Sequence, residues 1–249
     1  MSQDIKYKKY QRKSEYSYTL GAFPTIELLK NKWEKVECVF FHPDMNSDEQ
    51  KRIVTELCEE HNIPLEVNKK IVERLRDKDN CFCVGIFNKY DEELDSESMG
   101  HIVLVNPSDM GNLGTIIRTA IGFGINDIAI IEPAVDIFNP KVVRSSMGAL
   151  FQLRFHRFNS FEEYKSVMGN REVYPFMLKG ATELQRLERD DKEANFALIY
   201  GNEATGLSDE YAEMGTSVLI RHMNTIDSLN LSMAVGISLY EFTKANMVK

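Results

Sequence analysis

The sequence predicts an α/β protein with two parts: a larger C-terminal domain built on a mostly parallel sheet, and a small α/β/α module before it. From residue 101 onward, short apolar runs alternate with helical patterns, which is typical of a parallel sheet covered on both faces. An acidic, Ser-containing stretch at 91–100 precedes this alternation. The 249 residues are enough for two domains of ordinary size.

In the first part, Pro24 lies in the first turn of an expected helix, and Asn68 is the expected N-cap of a helix that ends near residue 76. The remaining elements expected there are strands at 36–41, 65–67 and 81–87 and a helix at 47–61.

In the second part, the apolar runs predict strands at 101–105, 127–131, 150–155, 173–177, 196–200 and 217–220. Helices are expected at 112–123, 160–167, 207–214 and 228–245, with a further helix opened by Asn139 and Pro140. The expected domains are a basic N-terminal arm at 1–14, a module at 15–90, a linker at 91–100 and a larger domain at 101–249. Ligands of such sheets bind at the carboxyl ends of the strands, so the loops that follow the strands are the candidate sites.

The composition excludes several classes of protein. With 43% hydrophobic residues, 27% charged residues and a mean hydropathy of -0.32, the chain is neither disordered nor membrane-spanning. The N-terminus has no apolar signal-peptide core, so we expect a cytoplasmic protein without a membrane partner. The four cysteines form no CxxC pair and the five histidines no HxxxH pair, so no metal is expected. A net charge of -8 argues against binding of nucleic acid through overall positive charge.

The first loop with a chemical pattern is NPSDMGNLGTIIRTA at 106–120. Gly111 and Gly114 permit a close backbone approach at the start of a helix. Taken alone, Asn112 could be a helix cap and Arg118 a solvated surface residue. The helix around Arg118 is almost entirely apolar, however, and a charge in such a setting indicates a specific anionic partner.

Two further strand-end loops are polar. The first, LIYGNEATGLSDE, has Gly201 at the end of a buried strand and Glu203 two residues further on, in the loop at the strand's carboxyl end. The second, IRHMNTIDSLN, leads into the last helix through Ser228 and Asn230. Taken singly, Glu203 could be a surface carboxylate, and Ser228 and Asn230 could be helix caps. Three polar loops in one domain favour a shared site.

In order and spacing, these loops resemble the three motifs of the SpoU, or TrmH-like, RNA ribose methyltransferases of the SPOUT class. The motifs are NxGxxxRTA at 112–120, GNExxGL at 201–207 and SLN at 228–230. The resemblance covers about residues 101–246. The first part, with GAFPTIELL near its start, is similar to the ribosomal-protein-L30e-like substrate-binding domain that many members carry.

The resemblance implies a trefoil knot in the C-terminal segment, S-adenosyl-L-methionine as methyl donor, no catalytic metal, and a homodimer whose interface completes the site. By position, it implies a polar catalytic edge formed by Asn112, Arg118, Glu203, Ser228 and Asn230. It likewise implies a cofactor pocket lined by Gly201, Ile220 and Leu229.

The third loop departs from the family pattern. Many members have Pro and Met after the position of Ile220 and a Gly two residues further on, where this chain has Arg221, His222 and Asn224. Arg221 lacks the conformational restriction of Pro and adds charge beside the cofactor loop, so the conformation of that loop is open at this stage.

Methyl transfer to a ribose 2′-hydroxyl is an in-line displacement that requires alignment of donor and oxygen and a route for the hydroxyl proton. The family assigns activation of the hydroxyl to the counterpart of Arg118. Since arginine stays protonated, it is a poor general base, and Arg118 is better suited to binding the adjacent phosphate and stabilising the developing alkoxide. The sequence leaves both roles open.

An acidic RNA-binding enzyme needs local positive surface, because phosphate contacts dominate affinity. Residues 1–13 hold five basic groups and one acidic group, with Tyr7 and Tyr10 between them, and residues 141–157 hold four basic groups and no acidic one. These stretches predict an RNA-contacting arm and a basic rim beside the first motif. The alternative is a solvated tail and exposed helix faces.

Two other classes of function remain open. The first is a non-catalytic RNA-binding or ribosome-binding protein with a degenerate methyltransferase domain, which the intact Asn112, Arg118, Glu203 and Asn230 argue against. The second is a Rossmann-type nucleotide enzyme, which the absence of GxGxxG disfavours. The first part resembles modules that are more often associated with ribosomal RNA, and this resemblance implies ribosomal RNA in preference to transfer RNA as the substrate.

Overall fold

A computed structural model describes residues 7–189, 194–223 and 225–247. The described chain forms two compact units, one from residues up to 90 together with 136–152, the other from 91–135 together with 153 onward. The domain expected at 101–249 is divided between the two units. Residues 136–152 belong instead to the first unit.

The strands are β1 (Tyr16–Tyr18), β2 (Val36–Phe41), β3 (Leu65–Val67), β4 (Cys83–Asn88), β5 (Gly100–Val105), β6 (Asp127–Ile131), β7 (Arg154–Phe158), β8 (Glu172–Pro175), β9 (Thr182–Glu183), β10 (Phe196–Tyr200) and β11 (Val218–Leu219). The helices are α1 (Ala22–Asn31), α2 (Asp48–Glu60), α3 (Lys69–Leu75), α4 (Met110–Gly122), α5 (Pro140–Ser145), α6 (Phe161–Met168) and α7 (Leu231–Met247).

The first unit has a four-stranded sheet in the order β1-β4-β2-β3, with β4 antiparallel to both β1 and β2. The expected strands β2 and β3 are confirmed, and Asn68 caps α3 by accepting a hydrogen bond from the Ile71 N–H at 3.1 Å. The three-residue β1 was missed, because its sequence is too short for an alternating pattern. The four cysteines are buried and unpaired, and burial raises the pKa of Cys58 and Cys83 to about 12.

Residues 136–152 join the first unit through aromatic packing. The ring of Phe138 lies edge-on to those of Phe87 and Tyr90, at centroid distances of 6.0 and 4.9 Å. The Ser17 hydroxyl donates to the Phe138 carbonyl at 2.5 Å. These partners are distant in sequence, so no local pattern marks the segment as a separate piece.

The strand expected at 150–155 is wrong. Ala149–Gln152 form a 3₁₀ turn, and β7 begins at Arg154. Gly148, with φ of +83°, redirects the chain, and Phe151 packs edge-on against Phe87 at 5.2 Å. The first part of the apolar run is therefore buried by packing within the first unit, and only Arg154 and Phe155 of the expected strand lie in a sheet.

The second unit has a five-stranded sheet in the order β7-β6-β5-β10-β8, and all of its strands are parallel, as predicted. The chain moves outward from β5 through β6 to β7 and then continues on the other side of β5, where β10 and β8 lie. The direction of winding thus reverses between β5 and β10, and ligands of open parallel sheets bind where this happens. A short parallel pair, β9 and β11, lies beyond the main sheet.

Three helix predictions for this unit need correction. The helix expected at 207–214 is a 3₁₀ turn at Asp209–Glu213, and α7 begins at Leu231, not at residue 228. The helix α4 begins at Met110, with Asp109 in place of Asn112 as its cap. No helix in the described ranges is long and apolar enough to cross a membrane.

The segment expected as a linker is attached to the second unit. Residues 91–99 form neither helix nor strand, yet Leu94 is buried in the core of this unit. The Arg171 guanidinium donates to the carbonyl groups of Asp95, Ser96 and Ser98. These contacts hold the segment against the amino ends of the strands.

Candidate active site

The start of α4 is shaped by its cap. The Asn112 N–H donates to the Asp109 carboxylate at 2.7 Å, so Asp109 caps the helix by pairing one of the free N–H groups of its first turn. One face of α4 is buried, with Ile116 and Ile117 at 0% exposure. Because the cap is supplied by Asp109, the amide side chain of Asn112 is available for contacts with other loops.

The loop after β10 is closed tightly on itself. A Cβ atom added at Gly201 would lie 2.2 Å from the carbonyl carbon of Gly206, which no side chain permits. The Gly206 N–H donates to the Asn202 carbonyl at 2.9 Å, and Gly206 has a φ of +69°. Glu203 lies inside this turn, so its position is set by the backbone on both sides.

The Glu203 carboxylate binds the loop that leads into α4. One oxygen accepts from the Ser108 N–H at 3.0 Å and from the Ser108 hydroxyl at 2.7 Å, and the other accepts from the Asp109 N–H at 3.1 Å. Partial burial alone would raise the pKa of Glu203, but these hydrogen bonds outweigh it and lower that pKa below its usual value. The group therefore stays ionised and is a weak proton acceptor.

Asn112 connects the first and third motifs. Its side-chain oxygen accepts from the Asn230 amide at 3.1 Å, and its own amide lies 3.5 Å from Glu203 Oε1. The Asn230 oxygen in turn accepts from the N–H and hydroxyl of Ser232, at 2.9 and 2.7 Å. One continuous set of hydrogen bonds thus joins all three predicted loops.

The other predicted residues lie on the same elements without joining this set. Arg118 is exposed on α4 and makes no hydrogen bond or ion pair with any described residue. Ser228 is exposed, also without a hydrogen bond in the described part of the chain. Ile220 and Leu229 are half-buried at the two ends of the loop between β11 and α7.

Several residues of the site were missed as site residues by the sequence analysis. They are Asn106, Ser108, Asp109, Asn202 and Ser232. The Asn202 amide donates to the Asn106 carbonyl at 2.8 Å, which joins the ends of β5 and β10 where the winding reverses. A visible signal was the polar stretch NPSD directly after β5, since Asn, Ser and Asp favour such backbone-binding turns.

In the third loop, two of the residues that depart from the family pattern, Arg221 and His222, have partners within the protein. Arg221 forms an ion pair with Glu183 on β9, at 3.1 Å. A ring nitrogen of His222 lies 3.0 Å from the Ile220 carbonyl. Asn224 lies outside the described residues. The added charge at position 221 is thus paired with a neighbouring strand.

The site fits an organic cofactor held by backbone and apolar groups. At Gly180 an added Cβ would lie 2.4 Å from the backbone of Val218, and at Gly201 2.2 Å from that of Gly206, so these loops pack backbone against backbone. The half-buried Ile220 and Leu229 offer apolar contact. Within the described residues, no group of three or more His, Cys, Asp or Glu is arranged to hold a metal ion.

Comparison with known proteins finds relatives in sequence and in structure. A crystal structure of an AdoMet-bound rRNA methyltransferase from Sinorhizobium meliloti superimposes with a TM-score of 0.78 at 27% sequence identity, covering 94% of this chain and 89% of that one. A 23S rRNA (guanosine(2553)-2'-O)-methyltransferase of Bacillus subtilis is 31% identical over 135 residues, which cover 53% of each chain.

A 23S rRNA (adenosine(1067)-2'-O)-methyltransferase of Streptomyces azureus is 29% identical over 148 residues, covering 59% of this chain and 55% of that one. The chain thus matches about half the length of these curated relatives. The model of the SpoU rRNA Methylase family matches residues 99–240, which include all three loops. The chain therefore belongs to the SpoU rRNA methylase family.

Proposed function

We propose that this protein transfers a methyl group from S-adenosyl-L-methionine to a ribose 2′-hydroxyl of ribosomal RNA. The observation that carries the proposal is the hydrogen-bonded set Glu203–Asn112–Asn230, with Arg118 on the same helix as Asn112, exposed and without an ion pair to any described residue. Family membership supports the reaction class. The AdoMet-bound structure of the relative and the names of the 2'-O-methyltransferases support the donor and the substrate.

Arg118 has the properties of an anion-binding group at this site. Its guanidinium offers several donors, is permanently charged and has no protein carboxylate to neutralise it in the described chain. It binds the phosphate next to the target ribose and stabilises negative charge on the attacking 2′-oxygen. The proton leaves to that phosphate or to another nearby acceptor, because a protonated guanidinium cannot take it.

Glu203 is a positioning residue. Its carboxylate is occupied by Ser108 and Asp109, so it fixes the start of α4 against the loop after β10. Asn112 extends this link to Asn230. S-adenosyl-L-methionine supplies an activated methyl group on a sulfonium, and Gly201, Ile220 and Leu229 hold it through backbone and apolar contact.

The active enzyme is a homodimer in this proposal. On α7, the side chains of Met233, Ile237 and Tyr240 recur on one face and are 56%, 42% and 53% exposed. Such a stripe of large apolar residues is typical of a surface that another chain covers. Wild-type protein should elute as a dimer in size-exclusion chromatography with light scattering. Ile237→Asp should shift it to monomer, and a wild-type monomer at micromolar concentration would refute the dimer.

Two finer features of the fold are part of the proposal. The first is a trefoil knot in the C-terminal segment, supported by close backbone passages at Gly180 and at Gly215, where an added Cβ would lie 2.1 Å from the Val173 carbonyl oxygen. The second is an L30e-like substrate-binding role for the module at 15–90, supported by its small sheet with flanking helices. The cytoplasmic location of the protein stays a prediction from the sequence.

The test is to map ribose methylation in total RNA from cells with and without the gene. Loss of one 2′-O-methyl group in ribosomal RNA, restored by wild-type protein, supports the proposal. Loss in transfer RNA would replace the substrate and keep the reaction. If no methyl group is lost and calorimetry detects no binding of S-adenosyl-L-methionine, the protein is a non-catalytic RNA-binding member of the family.

A further inference from the structure

The two basic stretches of the sequence have different surroundings. In the stretch 141–157, three of the four basic side chains are ion-paired: Arg144 with Asp77, Arg154 with Asp127 and Arg157 with Glu132, at 2.6, 2.5 and 3.6 Å. The predicted basic rim is therefore largely neutralised. In the N-terminal stretch, Lys8, Lys9 and Lys13 form no ion pair with a described residue.

The backbone of the N-terminal stretch is held in place from residue 7 onward. The Tyr16 hydroxyl contacts both backbone groups of Lys8, accepting from its N–H at 2.7 Å and lying 3.2 Å from its carbonyl. The Tyr18 hydroxyl accepts from the Tyr10 N–H at 3.1 Å. Two tyrosines of β1 thus fix the stretch along this strand.

The tyrosines of the stretch itself face inward. Tyr7 is 3% exposed and its hydroxyl donates to Glu37 at 2.8 Å. The Tyr10 hydroxyl donates to Asp136 at 2.5 Å, and Lys89 donates to the same carboxylate at 3.0 Å. Because their rings and hydroxyls are used within the first unit, these tyrosines anchor the chain and are not free platforms for base stacking.

The basic side chains between these anchors face solvent. Lys8, Lys9 and Lys13 are exposed, and none of them forms an ion pair with a described residue. No acidic residue lies between Lys6 and Glu15. The result is a short strip of positive charge on an ordered backbone, in a protein whose net charge is -8.

We propose that residues 7–13 form a pre-ordered strip that binds the phosphate backbone of the RNA substrate. The choice of RNA as the polyanion rests on the proposed function. Each lysine that neutralises a phosphate releases a counterion, which provides affinity without reading sequence. Because the tyrosines already order the backbone, binding does not pay the entropy of ordering a loose tail.

The test measures the dissociation constant of a fluorescein-labelled RNA hairpin between 50 and about 300 mM KCl by fluorescence anisotropy. The triple variant Lys8→Ala, Lys9→Ala, Lys13→Ala should lower the slope of log K against log salt by about two to three units, since each lost phosphate contact removes roughly 0.7–0.9. The matched control replaces three exposed lysines elsewhere, Lys30, Lys51 and Lys165, and changes the net charge equally. Equal slopes for the two triple variants would overturn the proposal.

A second variant tests the pre-ordering without changing charge. Tyr10→Phe combined with Tyr16→Phe removes two of the hydroxyls that hold the strip, those bonded to Asp136 and to the Lys8 backbone, and leaves every lysine in place. Affinity for the hairpin should fall about threefold to tenfold, because the strip then loses conformational entropy when it binds. Wild-type affinity in this variant, with an unchanged melting temperature, would refute the pre-ordered strip.

A measurement of cofactor binding separates this proposal from the proposed function. Binding of S-adenosyl-L-methionine, measured by calorimetry, should be the same in all variants. If wild-type protein binds no cofactor but the lysine variant still loses its salt slope, the strip stands and the methyltransferase proposal fails. Binding of residues 7–13 to vesicles of anionic phospholipid, with no effect of the lysines on RNA, would assign the strip to a membrane and overturn the proposal.

Discussion

The parallel sheet of the second unit has a polar cluster at each end, and the two clusters differ in their surroundings. At the carboxyl ends, the carboxyl-edge cluster (Asn112, Arg118, Glu203 and Asn230) is half-buried or exposed. At the amino ends, the amino-edge cluster (His101, Asp127, Arg154 and Tyr164) has His101 and Asp127 at 0% exposure. The difference separates polar groups that stabilise the fold from polar groups that remain available to a substrate.

In the amino-edge cluster, the Asp127 carboxylate is fully occupied by protein donors. It accepts from two nitrogens of Arg154, at 2.8 and 2.5 Å, and from the Asp95 N–H at 2.9 Å. Burial alone would raise the pKa of Asp127, but the hydrogen bonds and charge of Arg154 lower it below its usual value. This carboxylate therefore stays ionised and paired.

His101 in the same cluster is neutral at pH 7. Burial, reinforced by the positive charge of Arg171, lowers its pKa to about 4. One ring nitrogen lies 3.0 Å from the Asp95 carbonyl, which can only accept, so this nitrogen carries the hydrogen. The other nitrogen, 2.9 Å from the Tyr164 hydroxyl, is then the acceptor.

The largest expected effect tests the carboxyl-edge cluster through Arg118→Lys. Lysine keeps the charge but loses the planar set of donors. Methyl transfer should fall about a thousandfold, equivalent to about 4 kcal/mol of transition-state stabilisation. The measurement is single-turnover transfer of tritiated methyl to ribosomal RNA from cells that lack the gene.

In the same variant, cofactor affinity and the free energy of unfolding should stay at wild-type values, because Arg118 is exposed and has no ion pair in the described chain. Turnover near the wild-type rate would show that Arg118 has no catalytic role. A large loss of stability would show that Arg118 stabilises the fold, as the amino-edge cluster does.

The next effect concerns stability at the amino edge. Asp127→Ala removes the buried partner of Arg154 and should lower the free energy of unfolding by about 3 kcal/mol, at the lower end for a broken ion pair since Arg154 is 37% exposed. Urea denaturation measures this change.

The matched variant at the carboxyl edge is Glu203→Gln. It should cost only about 1 kcal/mol, because the site is half-buried and an amide oxygen still accepts one backbone N–H. If Glu203→Gln destabilises the protein more than Asp127→Ala does, the distinction between the two edges is wrong.

The carboxyl-edge cluster could be predicted from the sequence because its residue types recur in three strand-end loops with a specific spacing. Its hydrogen bonds could not, since Asn112 and Asn230 meet only through the path of the chain between β10 and α7. The shift of the cap from Asn112 to Asp109 was also hidden, because both residue types cap helices equally well.

The amino-edge cluster was not predicted at all. His101, Asp127 and Arg154 each lie at or near the first residue of a strand, where a polar residue is usually solvated. His101 and Asp127 are buried because the segment 91–99 covers them, and that segment looks like a linker in composition. The strand predicted at 150–155 begins late, at Arg154, for a related reason, since Phe151 packs within the first unit and not in this sheet.

The last prediction concerns a pH dependence specific to the amino edge. Since the pKa of His101 is about 4 in the folded chain and about 6.5 when unfolded, the unfolded chain binds one more proton between these pH values. His101 has no effect on stability above pH 6.5. As the pH falls from 6.5 to 4, the free energy of unfolding should decrease by about 1.4 kcal/mol per pH unit from this group.

The control for this prediction is His101→Gln, which keeps a donor and an acceptor on the side chain but cannot take up the proton. Urea denaturation at several pH values between 4 and 7 should show a slope shallower by about one proton in the variant. Glu203 contributes only at the acid end of this window: its pKa is lowered on folding, so its stabilising effect is complete above its ordinary value of 4.5 and is lost below it. Identical slopes in wild type and variant would mean that His101 is protonated in the fold, and that the amino-edge cluster is as open to water as the carboxyl-edge cluster.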